Sequence, residues 1–194
     1  MSKALKQFDY LSWSKISAIE KGDWYFKRIY IDGEKMDNTY MRLGKKFATA
    51  LEKGKSSDKV MQAMVDITPN CKEREKEVWA EYKGIKLRGF LDGWDEEKGL
   101  ITEYKTGKEG AWNLKKVSES GQLQFYSFMF WLNTGKIPDC RLYWYKTDCD
   151  GQGNLFLTGE REPFNWKFDT ADMLKMASRV VRDYKKIIKL IKQL

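Results

Sequence analysis

The sequence predicts an α/β fold, with helices packed around a sheet. Three observations carry this. Residues 76–106 hold three β-like runs separated by glycine-bearing turns, the pattern of an antiparallel meander. Residues 39–53 and 118–135, on either side of it, repeat their apolar side chains at helical spacing. CRLYWYKTD and LFLTGEREPFNWKF then supply two more strands before a long amphipathic helix from about residue 169.

In chain order, residues 10–22 (YLSWSKISAIEKG) read as a short helix, with Ser12 or Ser14 at its start and Gly22 at its stop. The stretch DWYFKRIYIDGEKMDN is aromatic and basic. Trp24, Tyr25, Phe26 and Ile29 read as packing residues, and Arg28 as either a phosphate contact or a surface pair. Thr39–Lys53 is an amphipathic helix with Leu43, Phe47, Ala50 and Leu51 on its apolar stripe. Gly44 inside it costs up to about 1 kcal/mol relative to alanine and points to close packing. A further helix is expected at about 57–66, ended by Pro69.

KEVWAEY is then a strand, Lys83-Gly84 a tight turn, and IKLRGFLDGW a second strand that pairs onward with residues 100–106. KEGAWNLKK is a basic loop or short helix. Residues 118–135 are apolar nearly all round, which predicts a buried helix, begun by Ser118 or Ser120 and ended at Gly135. DCDGQGN reads as a hairpin turn: Asp148 and Asp150 look like a fragment of a calcium loop, but no glutamate closes it. Asp169 or Thr170 caps the last helix. Met173, Leu174, Met176, Val180, Val181, Tyr184, Ile187, Ile188 and Ile191 form its apolar side, and a basic face is left to solvent.

The 194 residues predict one domain, 1–194, ending in that basic amphipathic helix. A hydrophobic share of 42% and a charged share of 33% describe a globular chain without a membrane span, expected in the cytoplasm. The net charge of +8 favours a polyanionic partner, nucleic acid first. The chain has no histidine, which removes Ser-His and Cys-His nucleophilic chemistry. Its three cysteines form no CxxC pair, so neither zinc nor an iron–sulfur cluster is expected.

The chemistry gathers in GFLDGWDEEKGLITEYKTG, Gly89 to Gly107. Counting outward from a turn at Glu97-Lys98 sets Asp92 opposite Glu103, with Lys105 on the same face. Two carboxylates about 4 Å apart repel by roughly 4 kcal/mol at an effective dielectric near 20. Lys105 offsets part of this, and a hard divalent cation can offset the rest. A lysine beside such an ion can orient or deprotonate water, which suits phosphodiester hydrolysis.

With LGKKFATALE before it and GQLQFY after it, this stretch resembles the PD-(D/E)XK nuclease superfamily, in its RecB-like and lambda-exonuclease-like branches, over roughly residues 10–147. The resemblance implies a restriction-endonuclease-like core, a central mixed β-sheet flanked by α-helices. It implies Mg²⁺ or Mn²⁺ held by Asp92, Glu103 and the backbone carbonyl of Tyr104, with Lys105 acting on the attacking water. Gln122 and Tyr126 match the Gln-x-x-x-Tyr motif that lies against such sites. The Ser12-x-Ser14 pair is familiar from RecB-like chains. Ala48 stands where those chains usually carry a histidine, and Glu52, one turn on, could supply the missing carboxylate. The implied activity is a DNA nuclease, most simply a stand-alone exonuclease of recombination, repair or end-processing, as in phage systems. A non-catalytic DNA-binding module and an endonuclease are the competing readings. Lys45, Lys46, Lys108, Lys115 and Lys116, with Arg28 and Trp112, are candidates for nucleic-acid contact. A single-strand annealing protein and further copies of the chain are conceivable partners.

Overall fold

The computed structural model of the chain describes residues 8–193. Residues 1–7 and residue 194 lie outside them. The elements are α1 (Trp13–Glu20), α2 (Asp23–Tyr30), α3 (Thr39–Lys53), α4 (Lys59–Ile67), β1 (Glu73–Tyr82), β2 (Ile85–Asp95), β3 (Leu100–Gly107), α5 (Leu114–Ser118), α6 (Gly121–Thr134), β4 (Asp139–Cys149), β5 (Leu155–Lys167) and α7 (Thr170–Ile191). The strands form one sheet in the order β1-β2-β3-β4-β5. All neighbours are antiparallel except β3 and β4, which run parallel. A parallel pair needs a crossover connection, and α6 lies in it. The result is the mixed sheet flanked by helices.

Local chemistry explains most boundaries. The Asn38 side chain accepts the Met41 N–H at 2.9 Å and starts α3, while Gly54, in the left-handed region, ends it. Ser120 rather than Ser118 caps α6, and Gly135 closes it. Asp169 and Asp172 form a reciprocal capping box on α7. Lys83 and Gly84 both take positive φ, as a two-residue hairpin between Tyr82 and Ile85 requires.

Two expectations change. Gly22 stops nothing beyond α1: at φ 126 it is the N-cap residue of α2, so the aromatic stretch after it is a helix that buries Phe26. In α7, Leu174 faces solvent at 57% exposure, and Ala177, Asp183 and Leu190 share the buried side. The basic face of α7 is partly paired, while Lys185 and Lys192 are exposed as expected. Arg179 and Arg182 both pair with Glu20 of α1, Arg182 also grips the buried Asp183, and Lys186 meets Asp23 of α2 at 3.0 Å.

The core has two parts. The larger joins one side of the sheet to α1, α2, α6 and α7, with Phe125, Phe128, Phe130 and Trp144 among its buried rings. The smaller packs Phe47, Leu51, Met61 and Met64 of α3 and α4 against Tyr143, Tyr145 and Leu157. Each fully buried large apolar side chain contributes about 1.5–3 kcal/mol.

Candidate active site

The hairpin that carries the acidic residues has the expected register. Asp95 faces Leu100, Trp94 faces Ile101 and Gly93 faces Thr102, around a turn in which Gly99 takes φ 61. The ladder then stops, one step short of Asp92 and Glu103. Beyond it the Asp92 carboxylate takes over, accepting the Tyr104 backbone N–H at 2.7 Å. The N–H and C=O of one strand residue lie on the same edge, so the Tyr104 carbonyl faces the same opening.

The opening has a cause in β1 and β2. Leu91 and Trp94 are three apart yet pack in the same core cluster, so strand alternation slips between them. In register with Asp92 on β1 stands Glu75, at φ 47, and this is the one step from Glu73 to Tyr82 at which the two strands do not pair. The distortion lets Asp92 reach toward β3.

Glu103 is only 2% exposed, and one of its carboxylate oxygens, Oε1, pairs with Lys105 Nζ at 2.5 Å. The other, Oε2, is buried with no hydrogen-bond partner. Lys105 Nζ also donates to Gln122 Oε1 at 2.9 Å, and Gln122 Nε2 donates to the Tyr126 hydroxyl at 3.3 Å. The Gln-x-x-x-Tyr spacing stacks these two groups one helical turn apart, aimed at the lysine. Gly89 lets α6 approach: a Cβ there would lie 2.9 Å from Tyr126 Cε1 and 3.3 Å from Met129 Sδ. Gly44 of α3 packs less tightly than its place in a helix suggested: a Cβ there would meet Thr106 Oγ1 at 3.4 Å, an ordinary contact.

Electrostatics follow from this packing. Burial, then the charge of Glu103, lifts the Asp92 carboxyl well above its usual range, against the pull of the Tyr104 N–H and Lys105. Burial alone would lower the Lys105 ammonium, but Glu103 and Asp92 outweigh it and hold it above the ordinary lysine value. Burial and nearby carboxylates push the Tyr126 phenol up, so it stays protonated. Glu75 is raised by desolvation and by the charges of Glu52 and Glu103.

Glu75, Asp92, Glu103, Lys105 and Gln122 line a cavity of about 500 Å³, walled on the far side by α3 through Tyr40, Lys45, Ala48 and Glu52. The donor set fits a hard divalent ion. Glu103 Oε2 is a buried acceptor without a donor, and Asp92 and Glu103 repel unless a cation lies between them. Mg²⁺ takes one or two carboxylates and fills the rest of its shell with water. Among the described residues no three acidic or cysteine side chains gather tightly enough to ligate one ion by themselves. Glu52 lines the same cavity from α3, across from Asp92 and Glu103.

A model of the PD-(D/E)XK nuclease superfamily matches residues 34–182. The chain belongs to this superfamily. Among solved structures, an exonuclease candidate from Eubacterium rectale superposes with a TM-score of 0.56 at 12% identity, covering 95% of this chain and 84% of that one. A phage related exonuclease from Haemophilus somnus 129PT gives a TM-score of 0.52 at 13% identity, covering 98% and 89%. Both likenesses concern the fold. No curated protein matches the chain.

As a PD-(D/E)XK chain, the protein brings together Asp92, Glu103, Tyr104, Lys105 and Gln122 around one cavity, with Tyr126 behind Gln122 and hydrogen-bonded to it. The wider basic set is scattered. Lys45 is exposed on the cavity rim, and Lys46 and Lys108 are exposed. Lys116 folds back onto the Gly110 and Ala111 carbonyls at 2.7 and 2.8 Å, and Lys115 lies 4.0 Å from Glu119. Trp112 packs against the core, and Arg28 forks onto Glu34. Sequence reasoning missed Glu75. Counting outward from the Lys83-Gly84 turn, as was done for the other hairpin, would have set it opposite Asp92.

Proposed function

We propose that the protein is a divalent-metal-dependent deoxyribonuclease that degrades DNA from its ends. The observation that carries this reading is the buried, unpartnered Glu103 Oε2 in a cavity shared with Asp92 and a charged Lys105. Asp92, Glu103 and the Tyr104 carbonyl would hold Mg²⁺ or Mn²⁺, which supplies neutralising charge for the phosphate when bound. The rest of the chemistry belongs to the chain. Lys105, kept protonated by two carboxylates and steered by Gln122, donates toward the attacking water or the phosphate oxygen on which charge develops. Tyr126 fixes the Gln122 amide, which leaves the amide oxygen for Lys105. The likeness to exonuclease structures and the absence of histidine both suit carboxylate chemistry on nucleic acid. End-processing in recombination or repair, within the cytoplasm, is the setting we assign, with an annealing protein as the natural recipient of its product.

The test is incubation with end-labelled linear DNA and a closed circle, in Mg²⁺, Mn²⁺ or EDTA. Metal-dependent loss of the linear substrate alone is the expected result. Cutting of the circle would make the protein an endonuclease, and binding without cleavage in either metal would contradict an enzyme.

A further inference from the structure

Beside the carboxylate cavity runs a second, larger groove of about 1030 Å³. Met41, Lys45 and Gln122 line both, so the two are continuous. The groove runs over α1 and α2, past Trp13, Ser17 and Tyr25, and under the chain that follows α2. The chemistry above makes no use of it.

Its charge is unbalanced. Of its acids, Glu34 is held by Arg28 and Asp37 lies 3.6 Å from Arg42. Lys35 and Lys45 form no ion pair among the described residues, and Lys21 lies over the Tyr25 ring at 4.7 Å. Three ammonium groups therefore follow a groove whose carboxylates are already neutralised, with aromatic surface between them. That combination suits an unpaired strand. Ammonium groups track phosphates, and aromatic rings stack on bases, whose faces are free only when the strand is single. A duplex hides those faces and presents base edges and phosphates instead.

We propose that this groove is the track for a single-stranded segment of nucleic acid whose scissile bond lies in the carboxylate cavity. This rests on the nuclease reading above and adds the strand state of the substrate.

Binding in EDTA tests it without turnover. Fluorescence anisotropy would compare a labelled oligothymidylate with a blunt hairpin duplex, on wild type and on a Lys21→Gln, Lys35→Gln double variant. Both lysines are on the surface, and circular dichroism checks the fold. The variant should lose roughly fivefold or more affinity for the single strand. Its slope of log affinity against log salt should become shallower by about 1.4, near 0.7 for each lysine removed. Duplex binding should change less. An unchanged single-strand affinity and slope would overturn the proposal, as would an equal loss on the duplex. So would displacement of the strand by polyglutamate as readily as by unlabelled oligothymidylate, which would mean an acidic polypeptide site. A strand carrying 5-bromodeoxyuridine should crosslink to residues of α1 or α2 on irradiation, and crosslinks confined elsewhere count against the track. Lysine-dependent strand binding in a protein that cleaves nothing would sink the nuclease reading and keep the groove. Cleavage with lysine-independent binding would do the reverse.

Discussion

Asp92 accepts the backbone N–H of Tyr104 at 2.7 Å, where the β2–β3 ladder has just ended. A side chain thus stands in for the next strand hydrogen bond and keeps the sheet closed at the point where the carboxylates must converge. The contact also turns the Tyr104 carbonyl edge toward the same opening. Removing the charge of Asp92 while keeping its acceptor is therefore an informative change.

In EDTA, Asp92→Asn should be more stable than wild type at neutral pH. The amide oxygen still accepts the Tyr104 N–H, while the cost of burial and the repulsion from Glu103 are gone. Each kcal/mol relieved raises Tm by about 2–4 °C in a chain of this size. Differential scanning calorimetry reads this directly, and a lower Tm would mean that the charged carboxylate stabilises the metal-free fold.

The pH dependence has a defined sign. The folded pKa of Asp92 lies above its unfolded value, so the folded state binds this proton more tightly. The resulting stability is complete below about pH 4, the unfolded carboxyl value, and is lost as pH rises through the folded pKa. Urea midpoints measured in EDTA should therefore fall less steeply with pH in Asp92→Asn than in wild type over that window. Parallel curves would remove Asp92 as the source.

Saturating Mg²⁺ or Mn²⁺ should reverse the ranking. An ion that binds only the folded state stabilises by about 2.7 kcal/mol at a hundredfold excess over its Kd. Wild type should gain this in a thermal melt, whereas Asp92→Asn and Glu103→Gln should gain little. An equal gain in all three would place the ion elsewhere.

Lys105→Ala should retain DNA binding and lose cleavage by about 10²–10⁴-fold, the range for a group acting on a transferring proton or developing charge. Gel shifts and end-labelled digestion measure the two separately. Cleavage at the wild-type rate would take Lys105 out of the chemistry.

Gly89→Ala should destabilise the protein by about 1–3 kcal/mol, because its methyl group would lie 2.9 Å from the buried Tyr126 ring, which must shift to admit it. Activity should fall with it, since Tyr126 holds Gln122 and Gln122 steers Lys105. Urea denaturation together with rate measurements would check both effects, and an unaffected midpoint would show that α6 does not pack as tightly as described.

Much of this arrangement was legible in the residues. The Asp92–Glu103 register could be counted because a strand has period two and Gly99 marks the exit from the turn. The extent of α3 could be read from its apolar stripe, and the structure adds the Asn38 cap and the Gly54 stop. What escaped depends on contacts between distant residues or on backbone torsions. Glycine both ends and begins helices, so Gly22 alone could not reveal α2. The φ of Glu75 departs from a pattern that looks like ordinary alternation. Periodicity identified the basic face of α7, but the acids that meet it, Glu20 and Asp23, lie at the other end of the chain.

The strand order of the sheet repeats the order of the chain. Asp92, Glu103 and Lys105 therefore meet through a short hairpin, whose loop closure costs little entropy, whereas Gln122 and Tyr126 join them only when the crossover helix is laid down. The acidic pair is expected to assemble as an early, local event and its steering groups to arrive late. Substitutions in the hairpin should therefore slow folding, and those at Gln122 or Tyr126 should mainly hasten unfolding.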